Sequence, residues 1–309
     1  MKLSNRQIWL DGSFVPWAKA TVHLMSHSFT RGSAVFEVMS IHPVGPRQAA
    51  IFRLDDHLQR LHNSARLIAM PLSKSSRQLH RAALLTVARN RLRSGFVKLL
   101  CYYPEVEFEV IPRSRKTSVA IVAVNPAEDL HAAFYQGRAS AHAAVSKWRK
   151  LDPRTVPVHC KAAANYLSPL VAKQEVMARG FDIPILLTTG GFVAEGATES
   201  LFLVKNRVIK TAPLEFVLPG ITRRSAIEVA RFLGYTVLEK KMRLPELLSA
   251  DEAFYTSTSQ KVWPIASIER KKLPAPGPVA AHLMETFQKI TAGQLPRFRK
   301  WLAVAPRWK

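Results

Sequence analysis

The chain has few cysteines, few acidic residues and no long apolar run. Its two cysteines, Cys101 and Cys160, provide no disulfide framework, which is typical of a reducing compartment. The longest apolar runs, such as Val119–Val124, are far too short to cross a bilayer. The first residues lack the apolar core of a signal peptide. We therefore expect a cytoplasmic protein without membrane contact. The sequence contains no zinc-binding pattern, so no metal site is expected either.

The scarcity of acidic residues leaves a strongly basic chain. Lys and Arg number 45 against 22 Asp and Glu, a formal net charge of +23. Such a charge suits nucleic acid, an anionic surface or anionic small molecules. The basic residues are spread along the sequence, however, and only the tail Arg297–Trp301 alternates them with aromatic residues. We therefore predict a solvated basic surface, and a non-enzymatic nucleic-acid-binding protein is the least favoured alternative.

Periodicity in the first third of the chain predicts an α+β domain over residues 1–126. Asp11 and Gly12 favour a tight turn in a hairpin over residues 8–15. Apolar residues spaced by three and four predict a helix over residues 54–70, and a second helix is predicted over 79–92. Runs rich in β-formers predict strands over 96–103 and 118–125.

A linker over residues 127–137 and a larger C-terminal domain over 138–309 are predicted to follow. Strands and helices alternate there: strands over 139–146 and 183–188, a hairpin over 200–211, and helices over 167–179, 222–233 and 279–291. Asn206 and Arg207 are predicted to form the turn of this hairpin. Gly234 is predicted to end the helix over residues 222–233. With 309 residues and 48% hydrophobic content, the chain can bury the core that one or two domains need.

The stretch from His159 to Val204 carries the chemistry. Lys161 precedes three alanines, Tyr166 follows five residues later, and Glu195 stands in a separate glycine-flanked segment. A lysine among small residues suits a covalent bond to a planar aldehyde cofactor, which needs room beside the amine. A carboxylate elsewhere in the same site can hold a pyridine nitrogen protonated. From the residues alone, Lys161 is a candidate only.

The order and spacing of these residues resemble the fold-type IV family of pyridoxal-phosphate enzymes, which includes the branched-chain and D-amino-acid aminotransferases. Lys161 to Ser168 follows the family's KAxxNYLS pattern, and the resemblance continues through residues 9–12, 27–37 and 147–157. It implies an α+β, two-domain architecture like that of D-amino-acid aminotransferase. It also implies pyridoxal 5'-phosphate bound between the domains, with the lysine in the larger one, and a homodimer.

The resemblance assigns cofactor roles to particular side chains. Lys161 would form the Schiff base and, once freed, move the substrate's α-proton. Tyr166 would bond the phenolic oxygen, Glu195 the pyridine nitrogen and Arg60 the phosphate, while Leu218 would pack on the ring. Helix periodicity alone instead places Arg60 on a solvated face and Tyr166 on a face directed to the core.

Two further segments are predicted to bind anionic groups. Gly220, Ile221 and Thr222 open a helix whose N–H groups and dipole attract a phosphate. Thr258 matches a phosphate-binding threonine, and Ser259 and Gln260 fall where relatives offer backbone N–H groups to the substrate carboxylate. A hydroxyl-rich run after a strand is more often an ordinary turn.

The chain departs from the branched-chain pattern where the family binds substrate. Arg31 replaces a tyrosine, Val38 a glycine and Ser40 an arginine, and Lys98 stands where arginine is usual. Arg31, Phe36 and Lys98 are assigned to the substrate, with Arg31 and Lys98 expected to bind the side-chain carboxylate of glutamate or 2-oxoglutarate. The alternative is that Arg31 points to solvent.

The sequence therefore favours a pyridoxal-phosphate-dependent aminotransferase acting on L-branched-chain amino acids and a 2-oxo acid such as 2-oxoglutarate. D-amino-acid transamination comes second, because Glu37-Val38-Met39 resembles the D-specific pattern. Elimination by a 4-amino-4-deoxychorismate lyase on the same scaffold comes third. Small amino and 2-oxo acids are the expected partners in the first two cases.

Overall fold

A computed structural model describes residues 3–130 and 138–308. The chain divides into two compact units: unit 1 comprises Met1–Gln136, Cys160–Ala164 and Lys289–Lys309, and unit 2 comprises Gly137–His159 and Asn165–Gln288. This division groups Lys161 and the C-terminal tail with the N-terminal residues, unlike the sequence-based domains. Residues 131–137 of the predicted linker lie outside the described residues, and the boundaries of independently folding domains stay a prediction.

Unit 1 is built on one sheet with strand order β15-β4-β3-β5-β6-β1-β2. Its strands are β1 (Gln7–Leu10), β2 (Ser13–Pro16), β3 (Val35–Gly45), β4 (Gln48–Phe52), β5 (Gly95–Tyr102), β6 (Ser118–Val124) and β15 (Leu302–Val304). Its helices are α1 (His27–Arg31), α2 (Leu54–Leu67), α3 (Ser76–Arg89) and α4 (Pro126–Asp129). The predicted hairpin is confirmed, with Asp11 at φ 51° in its turn.

The α2 helix packs its apolar stripe on β3. Leu54, Leu58, Leu61 and Ala65 are almost completely buried, which confirms the predicted face. The next helix begins at Ser76 rather than at residue 79. Ser75 forms a capping box with Gln78 and so satisfies N–H groups ahead of the apolar residues used to place the helix.

The C-terminal tail, in which basic and aromatic residues alternate, belongs to unit 1 and buries its aromatic residues there. Phe298 and Trp301 are buried, and the Arg53 guanidinium lies 4.2 Å from the centre of the Trp301 ring. Residues Leu302–Val304 then pair with β4 as an edge strand. The aromatic residues between the basic ones therefore serve packing, while Arg297, Arg299 and Lys300 stay exposed.

Unit 2 contains the second sheet, with strand order β11-β10-β9-β12-β13-β7-β8 and β14 paired to β13. Its strands are β7 (Ala141–Arg149), β8 (Ile183–Leu187), β9 (Ser200–Lys205), β10 (Val208–Thr211), β11 (Val237–Glu239), β12 (Glu252–Thr256), β13 (Trp263–Ile268) and β14 (Lys271–Lys272). The helices α5 (Leu167–Ala178), α6 (Ile221–Phe232), α7 (Leu244–Leu248) and α8 (Pro278–Thr291) follow in chain order. The predicted mixture of helices and strands is thus confirmed. None of the helices in the described parts of the chain has the length and hydrophobicity of a membrane span.

Candidate functional site

The segment that carries Lys161 lies beside the start of β3. The backbone N–H of Phe36 donates to the Lys161 carbonyl (3.1 Å), and that of Ala163 donates to Ala34 (2.8 Å). A Cβ added at Gly32 would lie 3.1 Å from the Cβ of Ala164, so the alanine run permits close packing here. The small residues around Lys161 thus have a structural reason within unit 1.

Lys161 and Lys98, both assigned to the site, have side chains that lie near the Phe36 ring. The Nζ atom of Lys161 lies 4.9 Å from the Phe36 ring centre, and that of Lys98 lies 5.1 Å from the same centre. The Lys161 backbone is fixed by a bond from its N–H to the Ser64 hydroxyl (3.0 Å). The structure therefore brings Lys161, Phe36 and Lys98 together in unit 1, with a half-buried ring between charged groups.

A buried ionic network under this group fixes Arg60. Its Nε and Nη2 atoms donate to the two Glu37 oxygens, each at 2.7 Å, and His57 Nδ1 lies 2.7 Å from the same carboxylate. Arg60 is only 8% exposed and Glu37 is fully buried. The solvated-face interpretation of Arg60 is therefore wrong. The helix pattern could not reveal its partner, because Glu37 lies on a strand 23 residues away.

The charge states of this network follow from burial and pairing. Burial alone would raise the pKa of Glu37, but the charge of Arg60 and the bonds from Arg60 and His57 outweigh it and lower the pKa to about 2. Burial lowers the pKa of His57 despite the raising effect of Glu37. Glu37 is consequently ionised at neutral pH, and its carboxylate orients the Arg60 guanidinium through two parallel bonds.

Glu195 is buried in unit 2 and paired with a lysine that the sequence analysis did not single out. The Nζ atom of Lys150 lies 2.6 Å from Glu195 Oε1, and both side chains are largely buried. The Glu195 carbonyl accepts a hydrogen bond from the Leu186 N–H of β8 (2.9 Å), and Glu195 also forms a β-bridge with Ser200. A carboxylate fixed and paired in this way favours a cationic partner such as a protonated ring nitrogen.

The start of α6, to which the sequence assigned an anion, has no side-chain cap. The helix has Gly220 at its N-cap, no side-chain hydrogen bond at that cap and no acidic residue in its first turn, so its first N–H groups lack a capping side chain. A Cβ at Gly220 would lie 3.0 Å from the Ser200 hydroxyl, and Ser200 is in register with Thr256 of β12. The buried Thr256 hydroxyl has no hydrogen-bond partner among the described residues. An unsatisfied buried hydroxyl of this kind is an available donor for a bound anion.

The hydroxyl-rich run after β12 is a turn stabilised by its own side chains. The Ser257 hydroxyl accepts from the Gln260 N–H (3.3 Å) and lies 3.1 Å from the Ser259 hydroxyl. Lys261 is buried and donates from Nζ to the Thr258 carbonyl (2.6 Å). Thr258, Ser259 and Gln260 are thus close together, directly after Thr256.

The remaining assigned residues occupy loops and helix ends. Leu218 is half-buried, and its carbonyl accepts from Gly220, while Ile221 and Thr222 are buried in the first turn of α6. Tyr166 is the half-buried N-cap of α5. Arg31 is exposed and donates from Nη2 to the Phe108 carbonyl at 2.8 Å.

The predicted residues therefore form two groups, each inside one unit. Unit 1 contains Lys161, Phe36, Lys98 and Arg60. Unit 2 contains Glu195, Gly220 and the assigned residues that come after these two in the sequence. Sequence reasoning missed the supporting residues: Glu37, His57, Lys150, Ser200 and Thr256. Glu37 and Ser200 could have been found from their positions inside recognised motif segments. For Lys150 the sequence offered only its place in a basic cluster.

The chain is similar to known proteins over most of its length. The family model described as amino-transferase class IV matches residues 34–268. The chain is 34% identical to the branched-chain-amino-acid aminotransferase of Escherichia coli (strain K12), with 96% of each chain covered. It is also similar to the structure of a branched-chain aminotransferase from Thermoproteus uzoniensis with norvaline, with a TM-score of 0.91, 32% identity, and coverage of 97% of this chain and 99% of that one.

A second solved structure was obtained with its cofactor. The branched-chain amino acid aminotransferase from Thermobaculum terrenum, in its PLP (holo) form, has a TM-score of 0.91 and 30% identity to this chain. The alignment covers 99% of this chain and 100% of that one. With the family match spanning most of the sequence, these similarities establish that the chain belongs to the class IV amino-transferase family.

Proposed function

We propose that this class IV aminotransferase binds pyridoxal 5'-phosphate and transfers the amino group of an L-branched-chain amino acid to a 2-oxo acid such as 2-oxoglutarate. The observation that carries this proposal is similarity over nearly the whole chain, at 34% identity, to an enzyme named for branched-chain substrates. Another solved branched-chain amino acid aminotransferase, at 32% identity and a TM-score of 0.89, is complexed with N-(5'-phosphopyridoxyl)-L-glutamate, which supports glutamate as the second substrate.

The donor sets described above fit the proposed cofactor. A half-buried lysine amine beside an aromatic ring suits an aldehyde, and a buried carboxylate suits a pyridine nitrogen. The start of α6, which has no side-chain cap, and the Thr256 hydroxyl, which has no hydrogen-bond partner in the part of the chain that the structure describes, suit a phosphate. When bound, pyridoxal phosphate supplies an aldehyde that takes up the amino group and a ring that accepts electrons.

Each proposed residue then has a definite task. Lys161 would hold the cofactor through its Nζ atom and, once free of it, the same atom would move the proton at the substrate's α-carbon. Glu195 keeps the ring nitrogen protonated, and Lys150 keeps the Glu195 carboxylate in place. Arg60 binds phosphate from a guanidinium plane fixed by Glu37. Tyr166 tunes the phenolic oxygen, and the residues of the turn after β12 bind anionic groups.

A comparison of amino donors tests the proposal. The protein is reconstituted with pyridoxal phosphate, and amino transfer to 2-oxoglutarate is measured with L-leucine and with D-alanine, while pyruvate release is measured with aminodeoxychorismate. We expect a kcat/KM for L-leucine that exceeds the value for D-alanine by at least about a hundredfold, since stereospecific sites discriminate by several kcal/mol. Faster reaction with D-alanine, or elimination from aminodeoxychorismate, would replace the proposal with the corresponding alternative.

The role of Arg31 in substrate recognition is a separate prediction. Arg31→Gln is expected to raise the KM for glutamate about tenfold or more while leaving the KM for leucine within about twofold, because a charge-assisted bond contributes roughly 1.5–3 kcal/mol. The matched control is Arg113→Gln, a highly exposed arginine of the segment that Arg31 contacts. If both substrates are affected equally, Arg31 acts only through its bond to the Phe108 carbonyl.

We also propose that the enzyme is a homodimer. The support from this chain is a run of exposed apolar side chains in unit 1. Phe108, Val110 and Ile111 are each more than 70% exposed, and Leu24 and Phe29 are similarly exposed on a segment whose His27 Nε2 atom lies 3.0 Å from the Val110 carbonyl oxygen. Contiguous exposed apolar groups of this size commonly mark an interface. Sedimentation equilibrium measures the mass directly.

A further inference from the structure

A cleft of about 330 Å³ opens on unit 2 among residues to which neither cofactor nor substrate has been assigned. Its walls are formed by residues 150–154, 188–190, Phe192, 215–216 and Lys241. The volume lies at the lower end of the range found for small-molecule sites. The cleft therefore has room for a compact ligand.

Aromatic rings and cations meet on the walls of this cleft. The Phe192 and Phe216 rings are parallel within 10°, with centres 6.1 Å apart. The Lys241 ammonium lies 5.7 Å from the first ring centre and 5.0 Å from the second. The guanidinium of Arg243, which is not among the described residues of the cleft wall, lies 4.1 Å from the centre of Phe192. An apolar surface with positive charge above it suits a ligand that has an apolar body and an anionic group.

The carboxylates on the cleft wall already have cationic partners there. Asp152 accepts two parallel bonds from Arg154, and Glu215 lies 2.8 Å from Lys241. The carboxylate partner of Lys150, in contrast, is Glu195, which is not among the described residues that line the cleft. An anion that enters the cleft thus meets two ammonium groups that each have one carboxylate partner: Lys150, paired with Glu195 outside the described cleft wall, and Lys241, paired with Glu215.

We propose that this cleft binds a small carboxylic acid with a flat apolar body, and that the bound carboxylate acts on Glu195 through their shared contact with Lys150. The apolar body lies against Phe192 and Phe216, and the carboxylate lies between Lys150 and Lys241. The binding part of the proposal stands on unit 2 alone. The coupling part rests on the proposed role of Glu195 in holding the cofactor.

The direction of the coupling follows because Glu195 and the cleft carboxylate both contact the Lys150 ammonium. Without cofactor, Lys150 is the partner of Glu195 at 2.6 Å. When a protonated ring nitrogen also binds Glu195, the carboxylate depends less on Lys150, which then attracts the cleft anion more strongly. Binding of the carboxylic acid and binding of pyridoxal phosphate should therefore strengthen each other by the same factor.

Calorimetry with benzoate tests the binding part on the cofactor-free protein. The variant Lys241→Met is expected to weaken benzoate binding at the cleft about tenfold or more, because it removes a charged contact. The matched control is Lys240→Met, which makes the same change one residue away at an exposed lysine outside the described cleft wall. Benzoate held at a site for substrate carboxylates is unaffected by either change. Equal affinity in the parent and Lys241→Met, or equal weakening in both variants, would overturn the proposal.

A second titration, of the protein loaded with pyridoxal phosphate, tests the coupling. We expect benzoate to bind the cleft about fivefold more tightly than in the cofactor-free protein, at the lower end of known coupling strengths. This gain should disappear in Lys150→Met. An unchanged affinity on cofactor loading in the parent would refute the coupling. Neither titration depends on amino transfer, so failure of the proposed transaminase activity would appear separately, in the donor comparison.

Discussion

Lys161→Ala is expected to abolish amino transfer from L-leucine, with a loss of at least about a thousandfold in kcat, because the variant lacks both the amine that bonds the cofactor and the base that moves the α-proton. The visible absorption that pyridoxal phosphate acquires on bonding to the protein should vanish as well. Folding should be little affected, since Lys161 is held through its backbone N–H and carbonyl, which alanine retains.

The control for this variant is Lys116→Ala, which removes an exposed lysine from unit 1. It should retain the kcat, the absorption and the melting temperature of the parent. Turnover of Lys161→Ala within about tenfold of the parent would refute the assignment of Lys161 to chemistry. A large drop in melting temperature would show instead that the side chain has a structural task beside Phe36.

The second large effect is expected on stability, from Arg60→Ala. This change leaves the Glu37 carboxylate fully buried without the guanidinium that binds both of its oxygens. Removing one member of a buried ion pair costs about 3–5 kcal/mol. Urea unfolding of the cofactor-free protein should therefore show this loss in the free energy of unfolding, independently of any effect on phosphate binding. Arg66→Ala, on the same helix but exposed, should change the free energy of unfolding by less than about 1 kcal/mol.

The pH dependence of stability gives an independent measure of the same pair. The pKa of Glu37 falls from its usual 4.5 to about 2, so its stabilising contribution is fully present above pH 4.5 and is lost as the pH falls toward 2. In Glu37→Gln this component should be missing, and the variant should lose less stability than the parent between these two pH values. Equal losses in both proteins would show that Glu37 is not stabilised by Arg60. Retained stability in Arg60→Ala would contradict the pairing itself.

The elements that the sequence predicted well are those fixed by nearby residues. The α2 helix follows from apolar spacing, and the turn of the first hairpin follows from Asp11 and Gly12. The elements that it did not predict depend on residues far apart in the chain. The edge strand β15 pairs with β4 across some 250 residues, and nothing in the local pattern of Leu302–Val304 announces that partner.

The same distinction separates the assigned site residues from those that support them. Motif spacing assigned Lys161 and Glu195 to the site, because cofactor chemistry constrains the local sequence around such residues. Periodicity misjudged Arg60, since a charged residue on an amphipathic helix is ordinarily solvated, and only the neighbouring strand supplies Glu37 to bury it. Lys150 was likewise indistinguishable from its basic neighbours until its contact with Glu195 was seen.

The most direct test of the account is to locate the bonded cofactor. The holoprotein is reduced with borohydride, which fixes pyridoxal phosphate to the amine that holds it, and the labelled peptide is identified by mass spectrometry. The account predicts one label per chain, on Lys161. A label on another lysine, such as Lys98, Lys150 or Lys261, or no label after reduction of a protein that still transfers amino groups, would contradict it.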